Sequence, residues 1–316
     1  MKTERSKGIR AALASAFLLG LAPVLGRQAI LFGFSPLAVV ALRTTFAAAL
    51  LFLIVALFKR QFLFIYPVGF AGCVLAGVIN GIGSIFYYMS LGRLPASIGQ
   101  MLYSLYPIFL AFSLVLDHHP ISRMTIFRVI IATLAVFLLA GGFNGNVDPI
   151  GVLMMLIGSI LYAFHLPINQ RVLFDVPAPT VTLYTLLAMS AVVLPVFLIF
   201  DTRLPAANVS WWPVVGLTLV TFFARLALFL GIKHLGGMQT ALLGLSELLV
   251  AIIFSHWLLN ESLTLIQWLG AAGLAISLLL VGNDQSPPPR KNLKGGWLNW
   301  IRPQNVPPDT PWGPHD

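Results

Sequence analysis

GMQTALLGLSELLVAIIFSHWLL, residues 237–259, runs for 23 residues with a single carboxylate, Glu247, ten residues in. A helix crosses a hydrocarbon core in about 20 residues, so this stretch reads as a membrane span with an acid near its midpoint. A charge at that depth is costly unless it faces protein or a water-filled cavity. Glu247 therefore marks a candidate site.

Nine further stretches of similar length fill the chain, at 9–31, 36–58, 67–91, 94–116, 122–141, 149–170, 179–200, 212–233 and 264–282. Continuous apolar runs specify helices, because a barrel would need alternating strands of about ten residues. The expected fold class is an all-α membrane protein of ten transmembrane helices. Composition agrees: 58% of the 316 residues are apolar, 9% are charged and the mean hydropathy is +0.91, where soluble domains carry roughly 25% charged residues. The start, MKTERSKGIR, resembles a signal-peptide n-region, but the apolar run that follows lacks a convincing small-residue cleavage site and is expected to form the first membrane helix. The single cysteine, Cys73, excludes an internal disulfide framework.

Lysine and arginine set the orientation. With the N-terminus inside, fourteen of them fall on inner segments, while Arg27, Arg93 and Arg203 fall outside. Both termini are thus expected in the cytoplasm of a bacterial or archaeal cell, around an inner-membrane protein. The net charge of +9 is spread between apolar segments, so no nucleic-acid partner is expected. The partners implied are the lipid bilayer and a small-molecule substrate.

The halves look related. LPASIGQMLYSLYPIFLAFSLVLDHHPIS, from Leu94, aligns with LGGMQTALLGLSELLVAIIFSHWLLNESLT, from Leu235, with one gap. Each half holds five spans, an odd number, so the halves must be inverted relative to each other, a recurring design of secondary transporters with a midplane site. The organisation expected is a cytoplasmic N-terminus at 1–8, five-helix repeats at 9–141 and 149–283, and a tail at 284–316. The tail, QSPPPRKNLKGGWLNWIRPQNVPPDTP and its flanks, is proline-rich and expected to be disordered. Its Trp297, Leu298, Trp300 and Ile301 lie beside cations, a pattern suited to touching the inner membrane face.

Two more charges lie inside spans. Arg225, fourteen residues into the eighth span, should match Glu247 in depth across the hairpin at Leu235. The two either form a structural ion pair or belong to a substrate site. An arginine beside it would keep Glu247 ionised, which favours binding or gating over proton carriage. Arg43 is seven residues past Pro36, shallow enough either to snorkel outward or to face a cavity. Polar residues gather on single helical faces: Asn80, Ser84, Tyr87 and Tyr88; Gln100, Tyr103 and Ser104; Tyr162, His165 and Asn169; Thr218, Thr221 and Arg225; Thr240 and Glu247. Any one of these could simply bond between helices, at about 0.6 kcal/mol, and His165 alone fits a packed histidine. Together the faces imply one polar cavity, with Arg43, Asn80, Tyr87, Gln100, Tyr103, Tyr162, His165, Arg225 and Glu247 as candidate substrate-binding residues.

The reading that follows is a secondary carrier, no enzyme, working by alternating access. Two cations opposite one carboxylate, framed by tyrosines, would meet both ends of a zwitterion, which points to amino acids or similar metabolites as the cargo, with export the favoured direction. The alternative class is an intramembrane enzyme acting on lipid or peptide. It would need H-E-x-x-H, paired aspartates or a Ser/His arrangement at one depth, and the chain has none. No P-loop is present, side chains as adjacent as His118 and His119 are expected to point different ways, and no metal or other cofactor is expected.

Over residues 8–283 the chain resembles the drug/metabolite transporter superfamily, in particular its EamA-type members. The matching features are Pro36 followed by Arg43, Ser-Leu-Tyr-Pro at 104–107, Ser246-Glu247-Leu248, and Leu259-Asn260-Glu261-Ser262-Leu263-Thr264. Departures from the family pattern are Leu248 for a proline, Asn260 for a glycine and His119 for a glutamate. The resemblance implies an export or uptake carrier for small metabolites and supports a cavity role for Arg43.

Overall fold

The computed structural model describes residues 2–118, 122–140, 148–206, 208–259, 265–280, 296–298 and 300–301. His119, the Asn260–Thr264 part of the loop motif and most of the tail lie outside them. Among the described residues the regular structure is helical throughout: α1 (Lys2–Leu31), α2 (Pro36–Phe58), α3 (Pro67–Leu91), α4 (Ala96–Tyr103), α5 (Tyr106–Leu116), α6 (Arg123–Ala140), α7 (Pro149–Leu173), α8 (Ala178–Phe200), α9 (Trp212–Leu235), α10 (Gly237–Gly244), α11 (Ser246–Leu259) and α12 (Leu265–Leu279), with a 3-10 turn at Arg60–Leu63. Eight spans among these residues are long and apolar enough to cross a membrane, counting α4 with α5 and α10 with α11 as one each. The expected fifth and tenth spans fall on α6 and α12, which pack against each other.

Local chemistry places the helix starts. Ser35 accepts from the Ala38 amide at 3.1 Å, with Pro36 in the first helical position of α2. Asp148 caps α7 in the same way, accepting from the Ile150 amide at 2.9 Å ahead of Pro149. A side-chain acceptor satisfies an orphan amide there, and proline has none to lose.

Two spans are broken at matching positions. α4 is eight residues long, ends at Tyr103 and resumes as α5 at Tyr106; α10 is also eight residues long, ends at Gly244 and resumes as α11 at Ser246. Pro107 explains the first break, since it lacks the amide that would bond back four residues. The second has no proline. There the Leu245 amide bonds to the Leu243 carbonyl and Ser246 Oγ donates to the same oxygen at 2.8 Å. The aligned sequences from Leu94 and Leu235 thus share an interrupted helix.

The halves interlock: α1 packs along α9 and α11, and α3 along α7 and α8. Gly77 makes the α3–α8 approach possible, because a Cβ there would stand 2.6 Å from the Thr185 carbonyl and 2.5 Å from Ala188 Cβ. Polarity runs inside out. Phe58, Phe200 and Trp257 are exposed, whereas Arg43, Asn80, Gln100, His165, Arg225 and Glu247 are buried, as expected where the surrounding solvent is hydrocarbon.

Cross-bonds define two ends of the bundle. His234 meets Glu4 at 3.0 Å and the Gly237 amide donates to Gln170 at the amino-terminal end. At the opposite end Arg27 donates to the Leu91 carbonyl, Arg93 pairs with Asp148 at 2.8 Å, and Trp211 and Trp212 stack edge-on against Phe34 and Phe32.

Candidate functional site

A chamber lies between the halves, lined by Leu19 and Ala22 of α1, Arg43 of α2, Ser84, Tyr87 and Tyr88 of α3, Gln100 and Tyr103 of α4, Tyr162 of α7, Arg225 of α9 and Glu247 of α11. By their places along the helices, these residues occupy the middle of the bundle and its half away from the amino-terminal end. Below them, Tyr106, Leu110, Leu114, Leu166, Val172, Phe229 and Ile232 form part of the larger hydrophobic core, which packs the amino-terminal half shut.

Both arginines turn inward. Arg43 is 6% exposed and does not snorkel; its Nη1 donates to Thr221 Oγ1 at 3.1 Å, its Nη2 reaches Ser84 Oγ at 3.5 Å, and its guanidinium lies 4.6 Å over the Tyr88 ring. Arg225 is gripped by Asn80, whose side-chain oxygen accepts from Nη1 and Nη2 at 2.8 and 2.9 Å, the amide orientation that sets acceptor against donors. Its Nη1 also lies 3.4 Å from His165 Nε2, and its guanidinium stands 5.9 Å from the Tyr162 ring centre. Every one of these partners is neutral. Among the described residues no carboxylate lies within ion-pair distance of either arginine, and both buried Nε atoms lack a hydrogen-bond acceptor. A buried donor without an acceptor is a costly arrangement.

Glu247 sits in the first turn of α11 because the helix breaks just before it. The opening turn of a helix carries orphan amides and the positive end of the helix dipole, an environment that favours a carboxylate. The structural ion pair weighed from sequence is not formed: Glu247 lines the same chamber as Arg225 without bonding to it. Gln100 lines the chamber with Glu247, and its Oε1 accepts from the Tyr87 hydroxyl at 3.1 Å.

Aromatic rings join the halves around these groups. Tyr103 stacks on Tyr87 at 4.8 Å, on Tyr162 at 5.1 Å and on Tyr106 at 5.9 Å, and Tyr162 lies 4.7 Å from His165. His165 Nδ1 is held by the Tyr162 carbonyl of its own helix, which points Nε2 at Arg225.

Of the nine residues singled out from sequence, Arg43, Tyr87, Gln100, Tyr103, Tyr162, Arg225 and Glu247 line the chamber, while Asn80 and His165 stand behind it and hold Arg225. Ser84 and Tyr88 line it too, and their helical face was the signal for them. Leu19 and Ala22 are apolar residues in an apolar helix, with no sequence signal at all. Tyr106 was also missed, although the break around Ser104–Pro107 marks its neighbourhood.

The EamA-like transporter family matches the sequence twice, over residues 6–141 and 149–283. The chain is 24% identical over 198 residues to the "Uncharacterized transporter YcbK" of Bacillus subtilis (strain 168); the match covers 59% of this chain and 64% of that protein, so the chain spans less than two thirds of the relative's length. One protein known from a crystal structure superposes with a TM-score of 0.69 at 17% identity, over 88% of this chain and 96% of its own, a likeness of fold alone.

Proposed function

Because the chain belongs to the EamA-like transporter family, we propose that this membrane transporter is a secondary carrier of small zwitterionic metabolites such as amino acids. In this reading ten spans form two inverted five-helix repeats, α6 and α12 supplying the fifth and tenth, and the repeats rock about the chamber to open it to either side in turn. The lysine and arginine distribution supports cytoplasmic termini, which makes the packed amino-terminal end the inner one.

One observation carries the substrate class: two guanidiniums held only by neutral groups share a chamber with one carboxylate that neither of them pairs with. A bound carboxylate would give the arginines the anion they lack, and an ammonium group on the same molecule would meet Glu247. Tyrosine faces beside both would take the remainder of a small side chain and support the cation through their π-systems.

Counterflow in proteoliposomes tests this. Vesicles loaded with one unlabelled amino acid at a time should accumulate its labelled form above equilibrium. Absence of exchange for every zwitterion tried, in vesicles where the protein is shown to be folded, removes the substrate class.

A further inference from the structure

Four carboxy-terminal residues, Gly296, Trp297, Leu298 and Ile301, are seated against the helices, while Trp300 is half-exposed. Leu298 is fully buried and Ile301 is 3% exposed, and both belong to the core that closes the amino-terminal half of the bundle. The seat is built by both repeats. From α5 of the first and the residue that caps it, the Ser113 carbonyl accepts from Trp297 Nε1 at 3.3 Å and Asp117 Oδ1 accepts from the Leu298 amide at 3.1 Å. From α7 of the second, Phe164 meets the Trp297 ring edge-on at 5.8 Å. The same Asp117 carboxylate bridges the repeats directly: its Oδ2 accepts from Arg171 Nη2 at 2.8 Å and from Nε at 3.2 Å, with both side chains almost entirely buried.

The fit depends on the first residue of the segment. Gly296 adopts φ +82°, and a Cβ there would stand 2.5 Å from Asp117 Oδ1 and 2.8 Å from Asp117 Cα. Only glycine meets both demands. A chain that merely brushed the membrane surface would have no need of this match, nor of a buried carboxylate shared between a cross-repeat arginine and its own amide.

We infer that Gly296, Trp297, Leu298 and Ile301 act as a latch, docking across α5 and α7 to hold the two repeats together at the amino-terminal end and keep the chamber sealed on that side. The inference rests on the alternating-access reading for its consequence: transport requires α5 and α7 to separate there, so the latch must leave its seat in each cycle, and undocking it speeds the cycle. Since breaking a buried ion pair leaves an uncompensated charge, the Asp117–Arg171 bridge holds the closed state with the latch and reopens more readily once the Leu298 amide is gone.

Cys73, the single cysteine, is buried in the same core, next to Gly72, whose Cβ would meet Ile301. It reports opening at that end without any engineered label. In the full-length protein reconstituted in vesicles, Gly296→Val and Leu298→Asp should each raise the rate of Cys73 alkylation by N-ethylmaleimide several-fold. They should also raise the initial rate of amino-acid counterflow several-fold at unchanged KM. Unchanged alkylation in both variants overturns the docking. Faster alkylation with unchanged counterflow means the segment only covers Cys73, and overturns the latch. If no amino acid is exchanged by any form of the protein, the substrate reading fails, and the latch then stands or falls on whether Leu298→Asp also exposes the far side of the seat, read as faster hydrogen exchange of the α5 peptide 106–116.

Discussion

The Tyr106 hydroxyl donates to the Ala241 carbonyl at 2.8 Å, tying the first residue of α5 in one repeat to the broken α10 of the other. That carbonyl is available because the Leu245 amide, which would close the helical turn onto it, bonds to Leu243 instead. One repeat thus satisfies a backbone group that the interruption in the other sets free.

Tyr106→Phe removes the donor and leaves a buried carbonyl without one. A stranded acceptor costs about 1–3 kcal/mol, so the variant should express and fold but unfold a few degrees lower in detergent. A thermal unfolding curve checks this, and coincident curves for the variant and the wild type would show the bond to be dispensable.

Arg225→Lys keeps the charge and loses the fork that Asn80 grips with two contacts at 2.8 and 2.9 Å. Lysine offers a compact point charge on a flexible stem. Counterflow should fall at least about tenfold, equivalent to about 1.4 kcal/mol. Asn80→Leu should produce a similar fall with Arg225 intact, since a guanidinium without its acceptor is free to leave its place.

Glu247→Gln separates the two ends of the substrate. Binding of an amino acid should weaken about tenfold, whereas competition by the corresponding 2-oxo acid, which lacks the ammonium group, should be unchanged or stronger. Equal weakening of both would assign Glu247 to structure alone.

Gly77→Val drives a side chain into the Thr185 carbonyl and Ala188 on α8. Backbone cannot yield there without parting α3 from α8, so little folded protein should be recovered by size-exclusion chromatography; Gly77→Ala should be the milder of the two.

The spans and the charged groups within them are legible in the sequence because hydrocarbon permits little else: a run like 237–259 has few alternatives, and Glu247 stands out within it. Periodicity also found most of the chamber, since residues such as Gln100 and Tyr103 must share a helical face. Partnership was not legible. Depth alone set Arg225 against Glu247, but helix rotation gives Arg225 to Asn80 and His165, and rotation is fixed by packing against neighbours. A few residues of the tail were illegible for a related reason. The tail's composition averages over all its residues, whereas a positive-φ glycine before Trp297 and Leu298 fits one particular seat, a match that no average registers.

α4 and α10 are each eight residues long, well short of the roughly 12–15 at which a lone helix becomes even marginally stable. Neither segment can keep its shape unaided; each borrows it from whatever lies alongside. A wall made of such dependent pieces takes its form partly from its contents, so a guest molecule resting against Gln100 or Tyr103 would reshape the vessel that holds it.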